Sequence, residues 1–371
     1  MIQFCLFLAL GATLATGQLF GLIPLIPQVK QAFGEAATLG LPLFAAGYAI
    51  GMILLGSLSG RVGPRRMLVG SLGGGALLSM ACALSPGIGT FLLLRFAEAV
   101  VLGGFPPAAF VATTQRVRPE HRLLPNSAMV FGLLGSAGLA GLVSHFMVES
   151  IGWRSVLAVY GALLLMTSAL ASRLEHLQPG IQGQPHPYRL IPGEAFTREG
   201  LFSGACGAFT MAAFVTTNAL AHGGNNATAA LGVVVCAVLG VLCAARVIVK
   251  RPPDARRALG LFMVCCGVWL RMWWPPGIVY ALAVATVGAT LVVPACIQQV
   301  IASARKSVPA AVASFTCMLF VGGALSGLAM TGMMPIPPST IAPVLIVSLG
   351  ILAVNAWVRY RADIWVRRGA V

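Results

Sequence analysis

A glutamate and an arginine three positions apart lie inside a strongly apolar stretch of this sequence. Arg95 and Glu98 are surrounded by leucine, phenylalanine, alanine and valine between Leu92 and Leu102. A charge at bilayer depth costs about 2.5–3.5 kcal/mol on insertion scales, so such residues persist where they face a bundle interior and have a role. A carboxyl in that position can take up and release a proton, and a guanidinium can hold an anion. The pattern therefore predicts a membrane-embedded proton site at Glu98 with Arg95 beside it.

The same two residues allow a structural interpretation. Arg95 lies one helical turn from Glu98, so the two charges can satisfy each other. Burial disfavours the ionised form of a carboxyl and a nearby guanidinium favours it, which leaves proton coupling and a purely structural ion pair both open. For Arg95 the alternatives are holding an anionic substrate and pairing with Glu98.

Charged residues are unusually rare in the chain. Of 371 residues, 58% are hydrophobic and 9% are charged, whereas about 25% are charged in soluble domains. The net charge of +15 would suggest nucleic acid for a soluble protein, but cytoplasmic loops of membrane proteins also accumulate Lys and Arg. No Cys-x-x-Cys metal spacing and no Gly-x-x-x-x-Gly-Lys-Ser/Thr nucleotide loop occurs. The composition predicts a membrane protein without metal, cofactor, ATP hydrolysis or a nucleic-acid partner.

Twelve apolar runs approach or exceed the length of about 20 residues that a spanning helix needs. Six precede a polar interval and six follow it, which predicts an all-α membrane protein of twelve transmembrane helices in two six-helix bundles. The predicted units are residues 1–172, a cytoplasmic linker at 173–198, and residues 199–371. The predicted spans are 2–27, 37–60, 67–84, 90–113, 126–150, 154–172, 199–222, 226–246, 257–274, 276–300, 308–333 and 338–358.

Basic residues are concentrated in alternate loops between these spans. With the N-terminus inside, the cytoplasmic segments hold all 24 Lys and Arg residues except Lys30, Arg95, Arg154 and Arg271. Because Lys and Arg are enriched in cytoplasmic loops, this bias predicts a multi-pass protein with both termini in the cytoplasm.

Two sets of six spans joined by a cytoplasmic loop resemble the major facilitator superfamily. The loop between spans two and three is similar to the signature Gly-x-x-x-Asp-Arg-x-Gly-Arg-Arg of that family. Gly60 stands in place of the acidic residue, and Pro64 stands where the first terminal arginine is expected. The matching residues are Gly56, Arg61, Gly63, Arg65 and Arg66.

Two further elements support the resemblance. The run from Arg95 to Ala99 resembles the Arg-x-x-Gln-Gly element of span four, and Gly152-Trp153-Arg154 matches a Gly-Trp-Arg found between spans five and six. The resemblance implies a non-enzymatic, monomeric secondary transporter of the bacterial cytoplasmic (inner) membrane. Its implied partners are a small-molecule substrate, protons and the lipid bilayer.

The continuation of span four favours one direction of transport. Gly103-Gly104-Phe105-Pro106-Pro107 is similar to bacterial multidrug and small-metabolite proton antiporters, which implies proton-coupled efflux of a small organic molecule. Span five lacks the proline of the antiporter signature, so uptake of a siderophore-like or other small metabolite stays open. A transport-incompetent sensor or assembly partner on the same fold is the alternative from another class.

The resemblance also implies where the site residues lie. Spans 1, 4, 7 and 10 would line a central cavity, and the loop signature would form a cytoplasmic gate. An alternative for the loop arginines is that they only follow the charge bias. The predicted substrate-binding residues are Thr13, Thr16, Gln18, Arg95, Thr216, Thr217, Asn218, Thr286 and Thr290. The predicted gate residues are Gly56, Gly60, Arg61, Gly63, Arg65 and Arg66.

Overall fold

The computed structural model describes residues 1–118, 121–173, 197–222, 235–236, 238–240, 251–274, 278–304, 308–330 and 338–369. This part of the chain is helical and contains no strand. Two short 3-10 helices, Ile23–Leu25 and Glu35–Leu39, lie near the N-terminus. The α-helices are α1 (Ile2–Gly21), α2 (Ile26–Phe33), α3 (Gly40–Val62), α4 (Pro64–Ala83), α5 (Ile88–Leu102), α6 (Phe105–Arg116), α7 (Leu123–Arg173), α8 (Arg198–His222), α9 (Pro253–Trp273), α10 (Ile278–Ser303), α11 (Val308–Met330) and α12 (Pro338–Gly369).

Many of these helices are long and apolar enough to cross a membrane. The described residues contain eight such stretches, judged by length and composition. One of them, Leu124–Arg173, is 50 residues long and covers two predicted spans. Helix α11 carries a shorter apolar stretch, Ala310–Ser326. The structure therefore supports an all-helical, multi-pass membrane protein, and the count of twelve spans stays a prediction.

A glycine separates the two parts of α7. Gly152 has a φ of 76°, in the left-handed region that glycine adopts without a steric penalty. The backbone N–H of Trp153 donates to Oε1 of Gln28 at 3.0 Å, and Nε2 of Gln28 donates to the Val148 carbonyl oxygen at 3.0 Å. The bend is thereby attached to α2. It falls at the boundary that the Gly-Trp-Arg motif predicts between spans five and six.

Two predicted spans are interrupted in the structure. The first, predicted over 2–27, continues beyond α1 as a 3-10 helix and α2, because Pro24 and Pro27 lack a backbone donor and fit the first positions of a new helix. The fourth, predicted over 90–113, is divided into α5 and α6 at Gly103 and Gly104, with Pro106 in the first turn of α6. A hydropathy pattern does not show such breaks.

The last predicted span is shorter than the helix that contains it. Helix α12 has 32 residues, whereas the predicted span ends at 358. At 1.5 Å per residue such a helix is about 48 Å long, which exceeds the ~30 Å hydrocarbon core. The C-terminal part of α12 carries charged residues and is still helical, so the apolar pattern ends before the helix does. The predicted eighth span, 226–246, and the linker, 173–198, lie largely outside the described residues.

The helices pack mainly within two groups. In the first group α1 and α4 lie against α7, and α3 lies against α5. In the second group α8 packs against α10 and α11, and α9 packs against α10 and α12. The most extensive contact between the groups joins α3 to α11, and α7 also touches α10. This arrangement agrees with two bundles, and the predicted division of the chain at 173–198 stays a prediction.

Glycines let two backbones meet where α3 crosses α5. A Cβ atom on Gly51 would collide with the carbonyl oxygen of Val100, and one on Gly47 would lie 2.7 Å from the carbonyl oxygen of Phe96. Helices in lipid associate through close packing of this kind, because lipid tails are as apolar as the side chains. The position of α5, which carries Arg95 and Glu98, therefore depends on these glycines.

We expect Gly51→Ala to destabilise the protein, because overpacking costs about 1–3 kcal/mol. Gly70→Ala on α4 is the matched control, since a Cβ atom there meets open space. The measurement is the midpoint of thermal unfolding of both variants in one detergent. Equal midpoints would contradict the close contact of α3 with α5.

Candidate functional site

Arg95 and Glu98 form an ion pair that is sealed from solvent. Nη1 of Arg95 lies 2.7 Å from Oε2 of Glu98, and each side chain is 0% exposed. Both residues lie on α5 with the i, i+3 spacing that brings two side chains together on one helix face. Removing one partner of such a pair leaves a buried charge without compensation.

Helices α1 and α3 supply the other contacts of Arg95. Its Nη2 donates to the backbone carbonyl oxygen of Gln18 at 2.6 Å, and its Nη1 lies 3.5 Å from Oε1 of the same residue. Gln18 belongs to the last turn of α1, where backbone carbonyls lack helical partners. The guanidinium also lies over the ring of Phe44, 4.5 Å from its centroid, which stabilises a desolvated cation. Arg95 thus joins α1 and α3 to α5.

Glu98 faces α4 on its other side. Sγ of Cys82 lies 3.8 Å from Oε2 of Glu98, where a thiol can donate a weak hydrogen bond. Among the described residues, Oε1 of Glu98 has no hydrogen-bond partner, and neither has Nε2 of Gln18. Buried polar atoms normally have partners, and each exception calls for an explanation such as an ordered water or a functional role. Nε of Arg95 is likewise without a partner in the described part of the chain, and the Ser79 hydroxyl on α4 also lies close to the Glu98 carboxyl. Among these atoms Oε1 is the one that can bind a proton.

The predicted substrate residues are distributed over several helices, and Gln18 is the one that contacts Arg95 directly. Four of the predicted threonines, in addition to Thr216, use their hydroxyls to donate to a backbone carbonyl oxygen of their own helix, three or four residues earlier. A hydroxyl engaged in this way can still accept a hydrogen bond from another group. These are Thr13, Thr16, Thr217 and Thr290.

The remaining predicted substrate residues have other surroundings. The hydroxyl of Thr216 donates to its own helix and lies 2.5 Å from the hydroxyl of Ser326, which connects α8 to α11. Thr286 is buried on α10, and its hydroxyl has no partner among the described residues. The side chain of Asn218 lies outside the described part of the chain.

The predicted gate residues fall at two different contacts. A Cβ atom on Gly56 would lie 2.8 Å from Cβ of Ala313, so this glycine allows α3 to approach α11. Gly63, with a φ of 87°, forms the turn between α3 and α4. Arg65 donates from Nη2 to the carbonyl oxygen of Ser172 near the end of α7, within the first helix group.

The other predicted gate residues are Arg61, Arg66 and Gly60. Arg61 and Arg66 are exposed at the ends of α3 and α4. Gly60 lies within α3, and its surroundings are outside what the structure describes. A gate formed by these arginines stays a prediction.

A second ion cluster lies in the other helix group, where the sequence analysis noted only loop charges. Arg257 is 1% exposed and contacts Glu199 at 2.6 Å and also Asp254. Arg359 contacts Glu199 at 2.7 Å, so the cluster joins α8, α9 and α12. The only signal in the sequence is that two of its nine acidic residues, Glu199 and Asp254, lie beside predicted helix ends. Within the described residues, no three His, Cys, Asp or Glu side chains are grouped to hold a metal ion.

Comparison with known proteins identifies the family. The model of the Major Facilitator Superfamily matches residues 8–327. The gallate transporter of Pseudomonas putida is 29% identical over 136 residues, 37% of this chain and 29% of that protein. The 4-hydroxybenzoate transporter of the same organism is 31% identical over 144 residues, 38% and 32% of the two chains. A chloramphenicol resistance protein of Pseudomonas aeruginosa is 29% identical over 159 residues, 41% and 37% of the two chains.

The matched stretches span about a third of the length of these relatives. The family match, by contrast, extends over most of this chain, including the helices that carry the buried ion pair. It confirms the resemblance seen in the loop signature and in span four. The chain therefore belongs to the major facilitator superfamily.

Proposed function

We propose that this protein is a secondary active transporter that exchanges protons for a small organic molecule, with Glu98 as the proton site. The observation that carries the proposal is the sealed Arg95–Glu98 pair, in which one carboxylate oxygen has no hydrogen-bond partner among the described residues. This oxygen can take up a proton without displacing the Arg95 contact, which is made by the other oxygen. Two helix bundles that rock about a central site would give the proton access to each side in turn.

The residues around Glu98 have distinct roles in this proposal. Arg95 holds the carboxylate through its Nη1, and Gln18 fixes Arg95 from α1 through its carbonyl oxygen. Packing of α3 and α4 around α5 excludes water from the pair. When Glu98 takes up a proton, the Arg95 charge loses its anion, and the balance of contacts among α1, α3 and α5 changes. That change is what would bias one arrangement of the bundles over another.

Efflux is the favoured direction. It is supported by the glycine- and proline-rich continuation of span four and by the relative that is named a chloramphenicol resistance protein. Uptake of a siderophore-like or other small metabolite is the second candidate, because span five lacks the proline of the antiporter signature. Two relatives named as transporters of gallate and 4-hydroxybenzoate support a small organic substrate in either direction. We further propose that the protein works as a monomer in the bacterial inner membrane.

Transport into proteoliposomes tests the proposal and separates the candidates. Purified protein in vesicles with an imposed pH gradient should move a radiolabelled probe, with gallate, 4-hydroxybenzoate and chloramphenicol tested separately. The sign of the gradient that drives accumulation gives the direction. Dissipating the gradient with an ionophore should stop accumulation. If purified protein that binds a probe moves none of it under any gradient, the sensor or assembly interpretation replaces transport.

The proposed orientation makes a prediction at the start of α9. Arg251 is exposed and lies in a segment that the charge bias places in the cytoplasm. In a background without the native cysteines, Arg251→Cys should stay unmodified by an impermeant thiol reagent in intact cells and react after permeabilisation. Lys30→Cys, predicted to lie near the outer surface, is the matched control and should react in intact cells. Efficient labelling of position 251 from outside would contradict the topology.

A further inference from the structure

A row of aromatic side chains connects the buried ion pair to the other helix group. The guanidinium of Arg95 lies 4.5 Å from the centroid of the Phe44 ring. Phe44 stacks on Tyr48, one turn later on α3, at 5.9 Å between centroids and 19° between planes. Tyr48 contacts Phe320 on α11, at 4.9 Å between centroids. The contacts therefore run without a gap from α5 through α3 to α11.

The row is tightly enclosed. Phe44 and Tyr48 are each 1% exposed, and Phe320 is 5% exposed. A close-packed interior leaves little free space around each side chain. A shift of one ring in the row therefore displaces the ring next to it. The α3–α11 contact is also the most extensive one between the two helix groups. The row thus ends at the surface that must part when one bundle rocks against the other.

Tyr48 adds a polar atom to this surface. Its hydroxyl is buried and has no hydrogen-bond partner among the described residues. An unpaired buried hydroxyl loses its bonds to water without replacing them, which disfavours the arrangement that buries it. Burial of this hydroxyl therefore raises the free energy of the state in which Tyr48 packs against Phe320. Separation of α3 from α11 would remove that unfavourable contribution.

We infer that Phe44 and Tyr48 are positioning residues that transmit the charge state of Glu98 to Phe320 and so to the contact between α3 and α11. This inference rests on the proposed function, since it takes Glu98 as the proton site. The titratable groups that face Glu98 are Arg95 on its own helix and Cys82 on α4. With Glu98 charged, Arg95 is shared between the carboxylate and the Phe44 ring.

Protonation of Glu98 leaves Arg95 with two main contacts. These are the carbonyl oxygen of Gln18 and the face of Phe44. The attraction of a desolvated cation to an aromatic face is largest when no anion competes for it. The attraction of Arg95 to the Phe44 face then increases while its bond to the Gln18 carbonyl oxygen stays, and the Phe44–Tyr48 stack must follow Phe44. Contact between neighbouring rings does not by itself show that the charge state of Glu98 affects Phe320. The test therefore needs a variant that breaks the row without contacting Arg95 or Glu98.

The test is a pulsed electron paramagnetic resonance distance between the helix groups, measured over a pH series in nanodiscs. Spin labels at Arg118→Cys and Arg251→Cys, both exposed, report the separation, and all native cysteines except the buried Cys82 are replaced. The protein without further change should show two distance populations whose ratio changes at least about fivefold with pH. Phe44→Leu, which keeps an apolar side chain but removes the ring face, should lose this pH response.

Phe91→Leu is the matched control. Phe91 is fully buried on α5, one turn before Arg95, and contacts Phe33 and Trp153. Its replacement should leave the pH response intact. Phe320→Leu interrupts the row from the other group through its contact with Tyr48 and should also lose the pH response. It separates transmission along the row from a direct effect of Phe44→Leu on Arg95.

Tyr48→Phe should act in the opposite direction. It keeps the stacked ring and removes the unpaired hydroxyl, so it should raise the population with α3 and α11 in contact about tenfold at every pH. The pH response itself should remain. If Tyr48 is merely structural, Tyr48→Phe would leave this ratio unchanged.

Two outcomes are separable. If Phe44→Leu and Phe320→Leu respond to pH as fully as Phe91→Leu, the transmission is refuted while the proposed proton site stands. If the protein without these changes shows no pH response, the inference is refuted together with proton coupling at Glu98.

Discussion

Replacing Glu98 by Gln is expected to abolish accumulation driven by a pH gradient, down to the level of liposomes without protein. Gln keeps the size and the carbonyl acceptor of the side chain but cannot titrate. Arg95 keeps two contacts in this variant, the Gln18 carbonyl oxygen and the Phe44 ring, so the fold should persist. Energy-independent exchange of substrate across the membrane should survive. The measurement is gradient-driven uptake beside counterflow in the same proteoliposomes.

Glu35→Gln provides the matched control for this change. Glu35 is 86% exposed and pairs with Lys30 at the surface, where ion pairs contribute little. Its replacement removes one carboxylate as the Glu98 change does, but outside the bundle, and it should leave uptake unaltered. Equal uptake by Glu98→Gln and Glu35→Gln would show that Glu98 has a structural role.

The second large effect is expected from Arg95→Met. This change leaves Glu98 in the bundle interior with only uncharged neighbours, the Cys82 thiol and the Ser79 hydroxyl, and breaking a buried pair costs about 3–5 kcal/mol. The variant should unfold at a much lower temperature and yield little protein. The double variant Arg95→Met, Glu98→Gln removes both charges and should recover most of that stability, because an apolar replacement of a whole buried pair is often close to neutral.

Thermal unfolding of the single and double variants in detergent measures this difference. The double variant should recover stability without recovering gradient-driven uptake. If Arg95→Met alone is as stable as the unaltered protein, the pair is not sealed from water as the structure has it.

The sequence predicted an all-helical membrane protein, because the length of an apolar run is a local property. The orientation inferred from loop charge stays a prediction. The division at Gly152 followed from a Gly-Trp-Arg motif, and the structure has its bend there. Breaks near Pro24 and Gly103 were not predicted, because the apolar pattern continues through them. The predicted eighth span lies largely beyond the described residues, so the count of twelve has no structural test.

Within the site, Arg95 and Glu98 were predicted from their charge, and Gln18 from the family resemblance. Arg95 and Glu98 stand out because ionised residues are rare in apolar stretches. Phe44, Tyr48 and Phe320 give no such signal, since aromatic residues inside a span look like ordinary packing. Their arrangement depends on how α3 meets α11, which is a property of the fold. The threonines predicted from the family resemblance could not be ranked, because a hydroxyl that bonds its own helix has the same sequence signature as one that binds substrate.

Proton movement upon substrate addition shows whether Glu98 carries the coupled proton. Proteoliposomes containing an internal pH-sensitive dye are given, without an imposed gradient, a probe already shown to be transported. We expect a substrate-dependent pH change with the unaltered protein and with Glu35→Gln, and none with Glu98→Gln although the probe still exchanges. A substrate-dependent pH change of full size in Glu98→Gln would contradict this role of Glu98, because the proton would then be carried at another residue.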